Sequence, residues 1–177
     1  RRQEIFDAAL KLFGEKGYEK ITITDIAKSI GVSQGLCYRY FPSKEVLFDS
    51  AIEQYADILV SQFAEMAENT HMPLKQFIEE MPLNVEDQNT KYYAVFHGPQ
   101  NKKFHNQLSL KTCEKLVPVI EKMLQNAREN GEIQLEDLKT AAMFCIYGQL
   151  GILLDDGMDQ KEKAKRIRKF LIYALHL

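Results

Sequence analysis

Several features that define other protein classes are scarce or missing in this chain of 177 residues. Its three cysteines, Cys37, Cys113 and Cys145, are odd in number and far apart, so neither a disulfide scaffold nor a zinc-binding pair is indicated. The longest run without a charged residue, Thr140–Leu154, is shorter than the roughly 20 residues that span a bilayer. No signal peptide is recognisable. We therefore expect a protein of the reducing cytoplasm that has no membrane partner.

An excess of positive charge is also missing. The chain has 23 Lys and Arg against 25 Asp and Glu, which gives a formal net charge of -2. A protein that coats nucleic acid without regard to sequence is expected to be strongly basic, so that class is disfavoured. Residues 1–50 carry eight basic and seven acidic side chains, a net charge of +1. Any binding of DNA must therefore come from a local surface.

Signals of catalytic chemistry are absent as well. The sequence contains no glycine-rich phosphate loop and no nucleophile elbow. The four histidines, His71, His97, His105 and His176, are isolated, and no two of them have metal-ligand spacing. We expect neither an enzyme nor a protein that holds a metal or a cofactor.

What the sequence does contain is helical periodicity along its whole length, without strand alternation, internal repeats or low-complexity segments. This pattern predicts an all-α fold. Pro42 ends one short helix, and Pro118 is expected to kink or split a long one. The approximate helices are a first one ended by Gly17, then Thr22–Gly31, Ser33–Tyr40, Ser43–Met66, Leu74–Met81, Tyr92–Phe96, Lys102–Asn130, Glu136–Leu154 and Gln160–Leu175, with a loop over Asn84–Asn89.

The segment Thr22–Lys44 is the most informative part of the chain. Thr22 and Asp25 have the spacing of a capping box, which predicts the start of a short helix. Gly31 can supply the positive φ that ends this helix, and Ser33 can cap the next one. Two short helices joined by a tight turn are typical of a helix-turn-helix, whose second helix enters the DNA major groove.

The second of these helices carries side chains that suit a duplex. Gln34 can pair bidentately with adenine, Leu36 can touch a thymine methyl, and Tyr40 offers a hydroxyl for a phosphate. The predicted DNA-contacting residues are Thr22, Thr24, Ser33, Gln34, Gly35, Leu36, Tyr38, Arg39, Tyr40 and Lys44.

A purely structural corner of a helical bundle is the alternative interpretation of this segment. Against it, four consecutive bulky residues, Tyr38 to Phe41, cannot all be buried by a helix of about two turns. A helical adaptor that binds no DNA is the competing functional class for the whole chain.

A set of residues at fixed spacing extends the helix-turn-helix pattern in both directions. They are Gly17, Tyr18, Thr22, Asp25, Ile26, Ala27, Gly31, Val32, Ser33, Gly35, Tyr38, Tyr40, Phe41, Pro42, Ser43 and Lys44. With them, about a quarter of the chain resembles the N-terminal signature of the TetR-type (TetR/AcrR) repressor family. The resemblance implies an all-helical dimer in which a helix-turn-helix domain, residues 1–47, binds a palindromic operator. It also implies a larger domain, residues 48–177, that binds a small effector and dimerises.

The chain departs from the family pattern at two adjacent positions. Leu36 stands where the family usually has a small polar residue, which weakens any base contact inferred there by analogy. Cys37 stands where the family usually has leucine, and we interpret it as a small apolar core residue. A redox-sensing thiol is the alternative for Cys37.

The last two predicted helices have broad apolar surfaces with interspersed small residues. By analogy with the family, they are expected to pair with their mates across a two-fold axis as a four-helix interface. A wide intramolecular core is the alternative. The predicted interface residues are Ala142, Cys145, Ile146, Gln149, Leu150, Leu153, Ile167, Phe170, Leu171 and Ala174.

An effector pocket is expected between the long fourth helix and the helices from Tyr92 to Asn130. Its mixture of aromatic and apolar side chains suggests a hydrophobic or aromatic ligand, with plain core packing as the alternative for each residue. The candidates are Phe63, Met66, Tyr92, Tyr93, Phe96, His97, Phe104, Met123, Phe144 and Tyr147. Together these patterns predict a ligand-responsive regulator that acts as a repressor when no effector is bound.

Overall fold

The computed structural model describes residues 1–68, 72–82, 90–97 and 102–177, with Lys91, Lys102 and Lys103 described by their backbone alone. Within these ranges every regular element is a helix and no strand occurs, which confirms the all-α prediction. The predicted loop at Asn84–Asn89 lies outside them. The helices are α1 (Arg2–Lys16), α2 (Ile23–Ser29), α3 (Gln34–Tyr40), α4 (Lys44–Glu68), α5 (Leu74–Glu80), α6 (Lys91–His97), α7 (Lys102–Glu129), α8 (Leu138–Tyr147), α9 (Leu150–Leu153) and α10 (Gln160–Ala174), with a 3-10 turn at Tyr18–Lys20 after α1.

Glycine ends two of these helices as predicted. Gly17, with φ 85°, follows α1 and donates its N–H to the carbonyl of Phe13 at 2.9 Å. Gly131, with φ 77°, follows α7, where the N–H of Glu132 reaches back to the carbonyl of Ala127 at 2.9 Å. Both backbones occupy the left-handed region that glycine adopts at little cost.

Pro118 does not split α7, which runs unbroken through it for 28 residues, and the alternative expectation of a kink at Pro118 stays a prediction. The prediction of one continuous helix over Glu136–Leu154 was wrong, because this helix is divided at Gly148. There the side-chain amide of Gln149 donates to the carbonyl of Cys145 at 3.0 Å, the acceptor that a continued helix would reserve for the backbone N–H of Gln149.

The chain packs as two compact units. The first comprises Arg1–Ala56 and Glu86–Leu108, and the second comprises Asp57–Val85 and Ser109–Leu177. The predicted domain limits, 1–47 and 48–177, differ from this division of the packing and stay a prediction about function.

The first unit is built around a network of aromatic rings. The ring of Phe48 on α4 lies 4.8 Å from Tyr18, 5.5 Å from Phe96 and 4.2 Å from Phe104, measured between ring centroids. It also meets Phe13 of α1 at 5.7 Å. A single side chain thus ties α4 to α1, to the turn that follows α1, to α6 and to the start of α7.

The second unit has an aliphatic core. Five elements contribute to it, namely α5, α7, the segment after α7, α8 and α10. As a separate finding, no described helix in the chain has the length and apolar character needed to cross a membrane. The buried residues of this core are Leu74, Ile78, Leu124, Ala127, Ile133, Leu138, Ala142, Ile167, Leu171 and Leu175.

Candidate nucleic-acid interface

The start of α2 is fixed by a complete capping box. The Oγ1 of Thr22 accepts the N–H of Asp25 at 3.2 Å, and a carboxylate oxygen of Asp25 accepts the N–H of Thr22 at 2.9 Å. The hydroxyl of Thr22 also donates to that carboxylate at 2.6 Å. The hydrogen bond from this hydroxyl, followed by the one from the backbone N–H, lowers the pKa of Asp25. Thr22 is exposed at the N-terminus of α2, where the first backbone N–H groups of a helix have no partner within the helix.

The turn between α2 and α3 is a Schellman motif. Gly31, with φ 66°, donates its N–H to the carbonyl of Lys28 at 3.3 Å, and Val32 donates to the carbonyl of Ala27 at 3.0 Å. These two bonds satisfy the last carbonyls of α2 and set the direction in which the chain enters α3.

The side chains of α3 are almost entirely free for recognition. Ser33 caps the helix by accepting the N–H of Leu36 on its Oγ at 3.2 Å, and Cys37 is the one α3 residue that is buried. Tyr38 is 44% exposed and Tyr40 is 37% exposed. A helix of two turns that contributes a single residue to the core presents nearly its whole surface to a partner.

The predicted DNA-contacting residues all lie on or beside α2, α3 and the first turn of α4, within the first packing unit. Seven are exposed, namely Thr22, Ser33, Gln34, Gly35, Tyr38, Arg39 and Tyr40, and three are half-buried, namely Thr24, Leu36 and Lys44. Leu36, the residue that departs from the family pattern, is thus only partly available to a base edge.

Lys44 is engaged in a local contact that the sequence did not indicate. Its Nζ donates to the carbonyl of Tyr18 at 3.1 Å and lies 4.0 Å from the centroid of the Tyr18 ring. The hydroxyl of Tyr18 donates to a carboxylate oxygen of Glu45 at 3.3 Å, and burial, reinforced by Glu45, raises the pKa of Tyr18. The carbonyl and the ring of Tyr18 therefore hold the ammonium group of Lys44 in position at the start of α4.

Cys37 has the character of a core residue. Its side chain is fully buried, and burial raises the pKa of its thiol. Redox sensors need a thiolate that is easily formed and accessible, so the structure favours the packing interpretation over the redox one.

The predicted dimer-interface residues divide into two groups. Ala142, Ile146, Ile167 and Leu171 are buried within the second unit, and their part in a dimer interface stays a prediction. The apolar stripe identified from the sequence is the inner face of α8 and α10, and helical periodicity alone cannot distinguish an inner stripe from an interface stripe. Cys145, Gln149, Leu150, Leu153 and Ala174 are half-buried, and Phe170 is 61% exposed.

The large hydrophobic residues that are exposed on α8 and α10 share only Phe170 with the predicted interface residues. Phe144 is 76% exposed, Tyr173 is 77% exposed, and Met143, Tyr147 and Phe170 accompany them. Phe144 and Tyr147, expected to line an effector pocket, therefore belong to an outer face.

The other predicted effector residues fall into both units. In the first unit, Tyr92, Phe96 and Phe104 are buried; Tyr92 stacks on Tyr55 at 4.9 Å and donates its hydroxyl to Gln54 at 3.2 Å. In the second unit, Phe63 meets Phe77 edge to face at 6.0 Å, Met123 packs against the aliphatic core, and Met66 is half-buried.

The structure also brings together two histidines that the sequence separates. The His97 ring lies 4.7 Å from that of His105 and stacks on Tyr93 at 4.1 Å. The two histidines stand on different helices, α6 and α7, so no short spacing could have revealed the pair. In the described part of the chain, no group of three or more His, Cys, Asp or Glu residues has an arrangement that can hold a metal ion.

Comparison with known proteins identifies the N-terminal segment. Residues 5–51 match the family described as bacterial regulatory proteins, tetR family. The nucleoid occlusion factor SlmA of Glaesserella parasuis is 33% identical over 82 residues, which are 45% of this chain and 41% of that protein. The transcriptional repressor KstR2 of Mycobacterium tuberculosis is 32% identical over 76 residues, 43% of this chain and 38% of the repressor. The chain thus matches less than half the length of these relatives.

Solved structures match over nearly the whole chain. FadR of Bacillus subtilis in complex with stearoyl-CoA has a TM-score of 0.61 at 21% identity and covers 99% of this chain and 100% of FadR. RolR in complex with resorcinol has a TM-score of 0.65 at 18% identity and covers 99% of this chain and 91% of RolR. At these identities the likeness shows the fold alone, a helix-turn-helix followed by a C-terminal helical domain.

The capping box makes a prediction about acid stability. Thr22→Ala removes the hydroxyl bonds at the start of α2 and should lower the free energy of unfolding by about 1 kcal/mol at neutral pH. A carboxylate with a lowered folded pKa stabilises the fold above its unfolded pKa, and this contribution disappears as the pH falls through the folded pKa. Urea titrations across the acid range should show that the wild type loses more stability on acidification than Thr22→Ala does.

Thr24→Ala is the matched control, since Thr24 lies in the same helix without a capping role. An acid dependence in Thr22→Ala equal to that of the wild type would show that Asp25 owes its lowered pKa to another group.

Proposed function

We propose that this chain, whose residues 5–51 match the tetR family of bacterial regulatory proteins, is a ligand-responsive transcriptional regulator of that family. It binds a palindromic operator as a homodimer, represses transcription in that state, and is released by a small-molecule effector. The observation that carries the proposal is α3, a capped helix of two turns that buries only Cys37.

Sequence reading rests mainly on the first turn of α3. Gln34 is exposed at the first position of the helix, and its amide can donate to and accept from the edge of adenine in the major groove. Apart from its chain neighbours and the backbone of α3 itself, no atom lies within 4 Å of the position where a Cβ of Gly35 would stand, so this turn leaves room for a close approach of the DNA. Two such helices, held about 34 Å apart in a dimer, reach successive turns of one face of the duplex.

Residues on either side of the first turn of α3 are proposed to contact DNA phosphates. Thr22, Ser33 and Tyr40, which all carry hydroxyls, are exposed residues of the unit that carries α3. Lys44 supplies a full positive charge from the first turn of α4, held in position by the ring and carbonyl of Tyr18. These groups fix the register of the protein on the backbone and carry no base information of their own.

Retardation of DNA from the region upstream of the gene tests this arrangement. Gln34→Ala should reduce the preference for operator over scrambled DNA, by about 1–3 kcal/mol if a bidentate base contact is lost. Lys44→Ala should weaken binding to every sequence and lower the slope of log affinity against log salt by about 0.9.

Gln62→Ala, at an exposed position in the second half of α4, controls for loss of a surface glutamine. Undiminished sequence preference in Gln34→Ala would remove that residue from base reading, and an unchanged salt slope in Lys44→Ala would remove Lys44 from the phosphate contacts. Failure of the wild type to retard any DNA at low salt would favour the helical adaptor.

The surface that we propose for dimerisation is the outer face of α8 and α10. Half of the ten large hydrophobic side chains that are exposed in the described residues lie on these two helices. Met143, Phe144 and Tyr147 share one side of α8 through their spacing, and Phe170 and Tyr173 do so on α10. An apolar area of this kind on a water-exposed face marks an interaction surface, and two-fold pairing would cover it with its own copy.

Charged substitutions on this face should give folded monomers. Phe144→Glu and Tyr173→Glu each bring a charge into the centre of the proposed interface, and sedimentation should show half the mass while far-UV circular dichroism keeps its helical signal. Leu110→Glu, at a residue of α7 that is 53% exposed, is the matched control and should leave the dimer intact. A dimer that survives both substitutions would refute this face.

The effector that we propose is a largely apolar or aromatic small molecule. Support comes from FadR, solved with stearoyl-CoA, and RolR, solved with resorcinol, whose folds this chain shares. The effector must bind the DNA-free geometry more tightly than the DNA-bound one, because only a difference in affinity can shift the equilibrium between them.

Cys37, Cys113 and Cys145 are free thiols, which fits the cytoplasmic location that we propose.

Release of retarded DNA provides the test of the effector class. Stearoyl-CoA is compared with coenzyme A, which has the same polar part without the acyl chain, and resorcinol with 1,3-cyclohexanediol, which lacks the aromatic ring. At least one apolar or aromatic member should release the DNA and raise the melting temperature of the DNA-free protein, while its polar or saturated counterpart does neither. Equal effects of both members of each pair would contradict an apolar or aromatic effector.

A further inference from the structure

A cleft with a net positive charge lies on the first packing unit, outside the residues assigned to DNA reading. It has a volume of about 390 Å³, is open to solvent, and is lined by Leu12, Lys16, Lys20, Ile21, Asp25, Lys28 and Ser29. Its three lysines come from three successive elements, the end of α1, the 3-10 turn and α2. The fold therefore gathers cations that are not close neighbours in a single helix.

The charge of this cleft is only partly balanced from within, because its lining contains three lysines and one carboxylate, a net charge of +2. The ammonium groups of Lys16, Lys20 and Lys28 take part in none of the hydrogen bonds or ion pairs formed among the described residues. The carboxylate of Asp25 accepts the hydroxyl and the N–H of Thr22, which lower its pKa most, and the charges of Lys28 and Lys16 lower that pKa further. Glu15 and Glu19 are exposed neighbours in sequence but do not line the cleft.

The remaining lining indicates the shape of the occupant. Ile21 is buried and Leu12 is half-buried, so the cations surround an apolar floor. Several lysines around a confined space suit an anion with more than one charged oxygen, and compact ammonium groups bind phosphate as point charges. The floor leaves room for an uncharged part of the same molecule.

We propose that Lys16, Lys20 and Lys28 form a binding site for phosphate groups, separate from the base-reading helix and from the effector residues. The same chemistry is offered by a small phosphorylated molecule, such as a nucleoside diphosphate, and by the backbone of a bound duplex beyond the operator core. The proposal for the free anion stands without the proposed function, whereas the proposal for the duplex rests on it.

The first arm of the test uses the full chain without DNA. Pyrophosphate is titrated at low salt and followed by amide chemical shifts, with succinate at equal ionic strength as the non-phosphate anion. Saturable shifts at residues of the cleft are expected with pyrophosphate, and Lys28→Gln should weaken the binding by about tenfold through loss of one charge-assisted contact. Lys11→Gln is the matched control, because Lys11 is an exposed lysine of α1 next to Leu12 that does not line the cleft.

The second arm measures the salt dependence of binding to a long duplex. If the duplex is the source of the phosphate, Lys28→Gln should lower the slope of log affinity against log salt by about 0.9 while Lys11→Gln leaves it unchanged. Pyrophosphate binding with an unchanged salt slope assigns the site to a small molecule. A lowered salt slope without pyrophosphate binding assigns it to DNA.

Absence of an effect in both arms would overturn the proposal, as would equal losses in Lys28→Gln and Lys11→Gln, which would indicate diffuse attraction by charge. If the protein retards no DNA at all, the regulator hypothesis fails, yet the pyrophosphate arm still decides whether the cleft binds phosphate. Thermal unfolding of each variant confirms that these exposed substitutions leave the fold intact.

Discussion

The position of Phe48 is the constraint on which the N-terminal unit depends. Its ring fills the space between α1, the turn after α1, α6 and the start of α7, with centroid distances of 4.2–5.7 Å to four other rings. Because Phe48 lies one turn after the start of α4, this packing fixes where α4 begins. Tyr18, one of its four partners, in turn holds the ammonium group of Lys44. The aromatic core of the first unit thereby fixes the position of the Lys44 ammonium group, which we propose contacts a DNA phosphate.

This anchoring explains how α3 can be so poorly buried. A seven-residue helix has little stability of its own, since nucleation is costly and few hydrogen bonds follow. The cap at Ser33, the Schellman turn at Gly31 and the single core residue Cys37 hold its start and its middle. At its end, Phe41 is buried against Phe6, with the ring centroids 6.3 Å apart. Stability is thus supplied at the two ends of α3 and by Cys37, and most of its other side chains remain exposed.

The features that the sequence predicted correctly are local ones. The capping box at Thr22, the glycine turn at Gly31 and the stop at Pro42 each depend on residues within one helical turn, so a single chain suffices to recognise them. The sequence did not predict the break at Gly148. This break depends on whether the backbone N–H or the side-chain amide of Gln149 donates to the carbonyl of Cys145. The sequence is the same in either case, so it cannot distinguish a continuous helix from a broken one.

The faces of α8 and α10 could not be assigned for a different reason. Ile146 and Phe144 are both apolar, and they lie two residues apart on a helix with apolar residues on several sides. Which of them points inward depends on the packing against the core formed by α5, α7 and α10. The proximity of His97 and His105 is likewise a product of tertiary structure, since the two rings stand on different helices. Information of this kind is carried by packing between distant segments and not by periodicity.

The composition of the first unit bears on how an effector can control DNA binding. Tyr92 and Phe96 of α6, both predicted to serve the effector, stack on Tyr55 of α4 at 4.9 and 5.7 Å. Phe96 also touches Phe48, the ring that sets the start of α4. A ligand that displaces α6 therefore acts inside the same packed unit that carries α2 and α3. Close-packed rings have few alternative arrangements, so a small displacement of α6 favours a discrete repacking over a gradual one. Such a repacking would move the first turn of α4, and with it Lys44, and we propose it as the physical route by which an effector weakens binding to an operator.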